Sequence, residues 1–313
     1  MRSWDRVAGW ASFLVATSTV LTLACGGSDD GGVQLDAVAF GNGTFVAVGV
    51  SDLAYVDSGP GWVTFGTGVP SLNDVAYGRL QNLFVAVGDG GAIVTSSDGT
   101  AWTQQLAPTG LNLHGVTEGA GFLLAVGDGG TILRSEDGVT WTQQASGTEA
   151  ALYGVTYSED LRTFMAVGAG STVAVSSDFG VAWTVGNAGG AAVPNDLFSV
   201  AFGSSGWVAV GAGGAVLVSG RDVPPESFTW QASAFGVLPN LNDVAFAQGI
   251  YVIVGDEGTI LNSPDGATYG FSVSDTGQFI NGVAYGNGNF VAVATGGRVL
   301  TSIDAVVWQN GKI

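Results

Sequence analysis

Short apolar runs recur along the chain at nearly constant spacing. Seven valines, Val38, Val75, Val116, Val155, Val200, Val244 and Val283, each follow a Leu or Ile by three positions (Leu35, Leu72, Leu113, Leu152, Leu197, Leu241, Ile280). Successive valines are 37, 41, 39, 45, 44 and 39 residues apart, so the unit is constant and its loops vary. Each unit continues into a second run: FVAVG from Phe45 and from Phe84, FLLAVG from Phe122, FMAVG from Phe164, WVAVG from Trp207, YVIVG from Tyr251 and FVAVA from Phe290. A glycine-rich turn, a third run and a polar turn ending in an aromatic residue complete it. Near-continuous apolar runs of this length predict strands covered on both faces. A period of about 40 residues holding four short strands is that of a propeller blade, whereas stacked-coil solenoids repeat at roughly 20–30. The expected fold is therefore all-β, a seven-bladed β-propeller of four-stranded antiparallel blades near 33–70, 71–110, 111–149, 150–194, 195–239, 240–279 and 280–313. All four strands of each blade are contiguous in this register, with no obvious strand exchanged between first and last.

Composition agrees. Gly accounts for 52 of 313 residues and charged residues for only 11%, while the 46% apolar fraction is spread over short runs, as in strands and tight turns.

The first residues differ in kind. Arg2 and Arg6 precede an uncharged stretch from Val7 to Ala24, followed by the single cysteine, Cys25, and a Gly/Ser/Asp tail. A basic start, an apolar middle and small residues at the end describe an export signal over 1–24, too short for a stable membrane span. Leu21-Thr22-Leu23-Ala24-Cys25 resembles a bacterial lipobox, which implies that Cys25 becomes the diacylated first residue, with 25–32 as a flexible tether. Gly26 rather than Asp after the cysteine implies, by the same resemblance, the outer membrane. Ordinary secretory cleavage after Ala24 is the alternative and would leave a free thiol. With one cysteine, no internal disulfide can form.

The formal charge is −18, and removal of 1–24, which carries Arg2, Arg6 and Asp5, takes it to −19. A nucleic-acid partner is excluded by this balance, since phosphate binding needs clustered Lys and Arg. The glycine-rich turns lack a following Gly-Lys-Ser/Thr and a helix, so no nucleotide is expected. His114 is the only histidine, which excludes a multi-histidine metal site. No cofactor, metal or catalytic residue is assigned.

The most specific local motif follows the third run of a unit. Ser96-Ser97-Asp98-Gly99-Thr100-Ala101-Trp102 returns as Ser135 to Trp141 around Asp137, as Ser176 to Trp183 around Asp178, as Ser263 to Tyr269 around Asp265, and as Ser302 with Asp304 and Trp308. Asp accepts from the amides of its own turn, Gly tolerates positive φ, and the aromatic ring packs on neighbouring structure. A catalytic carboxylate has no reason to recur in nearly every blade, so these aspartates are read as structural. In the fifth unit, Ser219 reaches Trp230 only through a longer turn around 221–226, read either as a binding loop or as a tolerated insertion.

These turns resemble the Asp-box, or bacterial neuraminidase repeat. With Val126-Gly127-Asp128-Gly129-Gly130-Thr131-Ile132-Leu133-Arg134-Ser135, residues 33–313 resemble the photosystem II stability and assembly factor-like branch of Asp-box propellers. That resemblance implies a binding or assembly role. Sialidases share the Asp-box but need an Arg-Ile-Pro signature and three arginines on one face. Arg-Ile-Pro is absent, Arg79 and Arg162 fall in first-to-second-strand turns, and Arg134 and Arg298 fall in third strands.

The surface expected to bind a ligand is the opposite face, where chains enter the first strands. Two positions before each anchor valine stand Asp36, Asn73, His114, Tyr153, Phe198, Asn242 and Asn281, with Asp74 and Asp243 beside them. Asp89, Asp128, Asp256 and Glu257 occupy the adjacent turns. Amide, carboxylate and aromatic groups in one ring suit sugar or peptide recognition, or else they cap strands around a wet channel. The sequence thus points to a non-catalytic recognition or scaffold module at the bacterial envelope, with an envelope protein or glycan as partner. The alternative is a glycan-cleaving hydrolase using carboxylates of this ring or of the Asp128 turn.

Overall fold

In the computed structural model of the chain, the described residues are 33–313 other than 58, 60, 189–194, 222–226, 228 and 233–237. The export signal, Cys25 with its tether, and most of the long fifth-unit turn lie outside them.

The strands form seven four-stranded antiparallel sheets, each made of consecutive strands. First strands are Leu35–Gly41, Leu72–Gly78, Leu113–Gly119, Leu152–Ser158, Leu197–Gly203, Leu241–Ala247 and Ile280–Gly286. Each packs beside the first strands of the two adjacent blades, and Ile280–Gly286 packs beside Leu35–Gly41, which closes the ring. The molecule is a seven-bladed β-propeller. Among the described residues no helix is long and apolar enough to cross a membrane.

Burial explains the apolar runs. Second strands such as Phe122–Gly127 are buried at every position after the first, because one face meets the preceding blade and the other the following one. Seven apolar clusters result, each shared by two adjacent blades. Val85, Val87 and Ile93 of blade two meet Leu113, Leu123 and Trp141 of blade three. Across the seam, Val291, Val293 and Val299 of blade seven meet Leu35, Val38 and Tyr55 of blade one.

The polar turns fasten these clusters. The Asp137 carboxylate accepts from the amides of Val139 and Thr140 at 2.8 and 2.7 Å, and the Trp141 indole donates to Gly138 O at 3.1 Å. In blade six, the Tyr269 hydroxyl donates to Gly266 O at 2.8 Å, replacing the indole. Amide donation from Thr100 and Ala101 holds the Asp98 carboxyl down to about 2. Trp141 and Trp308 are buried, whereas Trp102 and Trp183 are half-buried. The largest fully buried side chains are instead Trp207, the third-strand Tyr55, and the second-strand aromatics Tyr251, Phe84 and Phe164.

The glycine ending each of the first six second strands has a steric cause. A Cβ at Gly127 would lie 2.1 Å from Asn112 O, and at Gly168, 2.0 Å from Ala151 O, both backbone atoms that a rotamer change cannot move. Blade seven carries Ala294 instead, with φ −145° and ψ 170° in place of the −169° and −159° of Gly127. Gly127→Ala is expected to destabilise the ring by more than about 2 kcal/mol, a fall of several degrees in Tm. Gly110→Ala, where a Cβ meets nothing within 4 Å, is expected to leave the melting curve in place. Equal melting of the two variants contradicts the steric account.

Candidate functional site

A β-bulge builds the candidate site seven times over. In blade three, Leu113 pairs with Gly127 and Gly115 with Val126, which leaves His114 as the extra residue. The same register shift isolates Asp36, Asn73, Tyr153, Phe198, Asn242 and Asn281. A bulge re-aims a side chain out of the pleat. Here it turns seven of them onto one mouth of the axial channel, beside the turns that carry Asp89, Asp128 and Asp256.

The ring divides into two arcs. Over blades six, seven, one and two it is polar, and its amides clasp adjacent blades. Asn73 Nδ2 donates to Leu113 O at 2.9 Å and to Asp89 at 3.0 Å. Asn242 Nδ2 donates to Ile280 O at 3.0 Å and to Asp256 at 2.9 Å. Asn281 Nδ2 donates across the seam to Leu35 O at 2.8 Å, and to Asp36 at 3.3 Å. Burial holds the Asp36 carboxyl up at about 6, against the Gln34 hydrogen bond, with the charge of Asp89 adding to the rise.

Over blades three to five the ring is aromatic. His114 and Tyr153 lie 5.3 Å apart by ring centroids, and Tyr153 and Phe198 6.0 Å apart in an edge-on arrangement. All three are half-exposed. Asp128 meets His114 Nε2 at 2.7 Å. Burial, followed by the charges of Asp196 and Asp128, pushes the Tyr153 hydroxyl above its ordinary range. Asp196 was missed in the sequence. Its carboxylate accepts from Gly170 N at 2.8 Å, as Asn112 does from Gly90 N at 2.9 Å and Asn240 from Gly213 N at 2.9 Å. The Asn/Asp recurring immediately before the anchor Leu was the available signal.

Asp74 and Asp243 lie one residue deeper, in the channel itself. Asp74 accepts from Val75 N at 2.7 Å and from Val116 N of the next blade at 2.8 Å. Asp243 accepts from Val244 N and Val283 N, both at 2.8 Å, and from the Ser199 hydroxyl at 2.6 Å. Each carboxylate therefore bridges first strands of adjacent blades. Burial pushes Asp74 up to about 7, the Val116 amide opposes the rise and the charge of Asp243 adds to it; Asp243 is raised by burial too. Glu257 stands apart. It is exposed at the rim with φ +56°, where Asp89-Gly90-Gly91 and Asp128-Gly129-Gly130 put glycine, so its strained backbone is kept for a charged side chain. Among the described residues no group of three or more His, Cys, Asp or Glu is placed to hold a metal ion.

Fold and mouth together define a propeller whose mouth carries its aromatic side chains on one side. A family model described as the DUF6242 beta propeller domain matches residues 81–207. Among solved structures, YCF48 bound to D1 peptide is similar at 18% identity and TM-score 0.66, covering 86% of this chain and 91% of that one. YCF48 from Cyanidioschyzon merolae is similar at 17% and 0.67, covering 86% and 95%. The WD40 beta propeller domain of Doa1 is similar at 14% and 0.67, covering 86% and 91%. These chains share the fold. No curated protein matches the sequence.

The carboxyls set a pH dependence of stability. Asp36, Asp74 and Asp243 have raised values, so the folded state holds their protons more tightly than the unfolded chain, and stability grows as pH falls from about 7 toward about 4. Asp98 and Asp265, each held down to about 2 by amides of their own turns, contribute stability that is lost as pH falls from about 4 to 2. Tm is therefore expected to rise on acidification from pH 7.5 to 5 and to drop below about pH 4, with Asp74→Asn flattening the first limb. A Tm that falls steadily from pH 7.5 to 5 contradicts the assignment.

Proposed function

We propose that this chain is a non-catalytic recognition module of the bacterial envelope, tethered by a diacylated Cys25, and that it docks a protein segment on the aromatic arc of its mouth face. The partly exposed trio His114, Tyr153 and Phe198 carries this reading, because Asn73, Asn242 and Asn281 donate into inter-blade clasps and Asp36 accepts from Asn281. Its repeats are assigned to the Asp-box class on the shared Ser, Asp, Gly and Trp turns. The YCF48 structure holding a D1 peptide is a propeller of this kind with a peptide ligand, which supports a peptide here.

Tethering would keep the ring close to the bilayer. Eight residue steps separate Cys25 from Val33, and at about 3.3–3.6 Å each they reach no farther than about 30 Å. Cys25→Ser is expected to release the protein from membranes into the soluble envelope fraction. Continued sedimentation with membranes sinks the anchor.

A glycan-cleaving hydrolase is the second reading, favoured by Asp74, whose carboxyl is raised to about 7 by burial with the charge of Asp243 adding to the rise. Peptide and glycan arrays scored for both retention and cleavage separate the two. The expected outcome is peptide retention without products, lost in a Tyr153→Ala, Phe198→Ala double variant of unchanged Tm. Glycan products that disappear in Asp74→Asn establish the hydrolase instead.

A further inference from the structure

We infer that the aromatic arc is a receptor for an arginine side chain, and that the segment it docks is a basic peptide. The inference rests on the recognition reading above and specifies its ligand.

Hydrogen-bond chemistry carries the argument. On the polar arc the amide nitrogens of Asn73, Asn242 and Asn281 are already directed into backbone carbonyls. What the aromatic arc offers a newcomer is ring faces, the Tyr153 hydroxyl and the carboxylates that flank them. Asp128 lies against His114 at one end of the trio, and Asp196 immediately precedes the strand bearing Phe198 at the other. Both act electrostatically on the Tyr153 hydroxyl between them. Carboxylates set beside aromatic faces fit a cationic ligand that both donates and stacks. Guanidinium is that group: five N–H donors, no acceptor, and a flat surface that stacks on aromatic rings while its edges pair with carboxylates.

Charge distribution agrees. Arg134 and Arg221 form ion pairs with Glu136 and Asp160 on the far face of the ring, and the mouth-side cations Arg298 and Lys312 are strand-register partners beside the turn of blade seven, away from the aromatic arc. Lysine brings the charge without the plane.

The test uses the full chain and fluorescein-labelled nona-arginine, nona-lysine, nona-glutamate and a neutral Gly-Ser nonapeptide, read by anisotropy. Saturable binding of nona-arginine is expected, at least about fivefold tighter than nona-lysine. Tyr153→Leu and Phe198→Leu, which leave the charge untouched, and Asp196→Asn are each expected to weaken it about fivefold or more. Glu159→Gln, on an exposed turn of the far face, is expected to leave it unchanged. Should one aromatic variant fail to melt like the parent, the other together with Asp196→Asn decides the matter. Equal binding of arginine and lysine peptides, indifferent to Tyr153→Leu, overturns the inference as mere surface charge. Tetramethylammonium that binds at the arc while nona-arginine does not overturns it in favour of a quaternary ammonium. Neutral or acidic peptides lost in Tyr153→Leu refute arginine but preserve peptide recognition. If no peptide of any composition responds to Tyr153→Leu, both readings fall.

Discussion

The toroid depends on apolar area shared between adjacent blades, and at four junctions an aromatic ring sits directly against a glycine of the neighbouring blade. A Cβ at Gly41 would sit 2.0 Å from the Tyr77 ring, at Gly119 2.2 Å from Tyr157, and at Gly286 2.0 Å from Phe40. Those first-strand aromatics also tilt onto second-strand partners of their own blade, as Phe40 does on Phe45 and Tyr77 on Phe84, both at 4.8 Å. Side chain and backbone thus interlock at four of the seven junctions, the fourth being Phe246 against Gly203. Adjacent sheets come close enough to exclude water because the glycines yield room for the rings. Stability comes from area hidden between wedges, and no disulfide or helix takes part among the described residues.

That packing decides which groups are free to act. First strands pressed together at the axis need their polar atoms satisfied, and Asn73, Asn242, Asn281, Asp74 and Asp243 do so by reaching into the next blade. Where the inner residues beside the bulge are glycines, as at Gly115 and Gly154, a Cβ would meet the Tyr153 and Phe198 carbonyls at 2.7 and 2.6 Å. On that side the strands approach without side-chain clasps, and the bulged residues are aromatic. One constraint, close approach at the axis, thus gives one half of the mouth a structural role and leaves the other half available.

Much of this was legible in the residues. Anchor Leu and Val, the second run and the Asp-Gly turns marked four strands seven times, and the polar turns proved to be self-contained hydrogen-bond units, as at Asp137. The ring of candidate residues was also visible, but as a uniform set. Its division was not, because only the structure shows that the Asn side chains at these positions donate to the anchor carbonyl of the next blade, while His114 turns to Asp128 of its own. Asp74 and Asp243 read as ligand groups for the same reason: the amides of Val116 and Val283 that engage them lie about 40 residues away. Asp196 went unnoticed because it stands just outside the repeat's strongest positions.

The seam between the last and first blades has the same construction as the other junctions. Gly297 N donates to Val33 O at 2.6 Å just as Gly258 N donates to Gln278 O at 2.8 Å, each acceptor two residues ahead of its anchor. Among the described residues no strand crosses over to latch the ends. The circle has no privileged starting point, so circular permutation at any inter-blade connection would preserve every strand pairing. Whole blades could be gained or lost by duplication with the same joint re-formed each time.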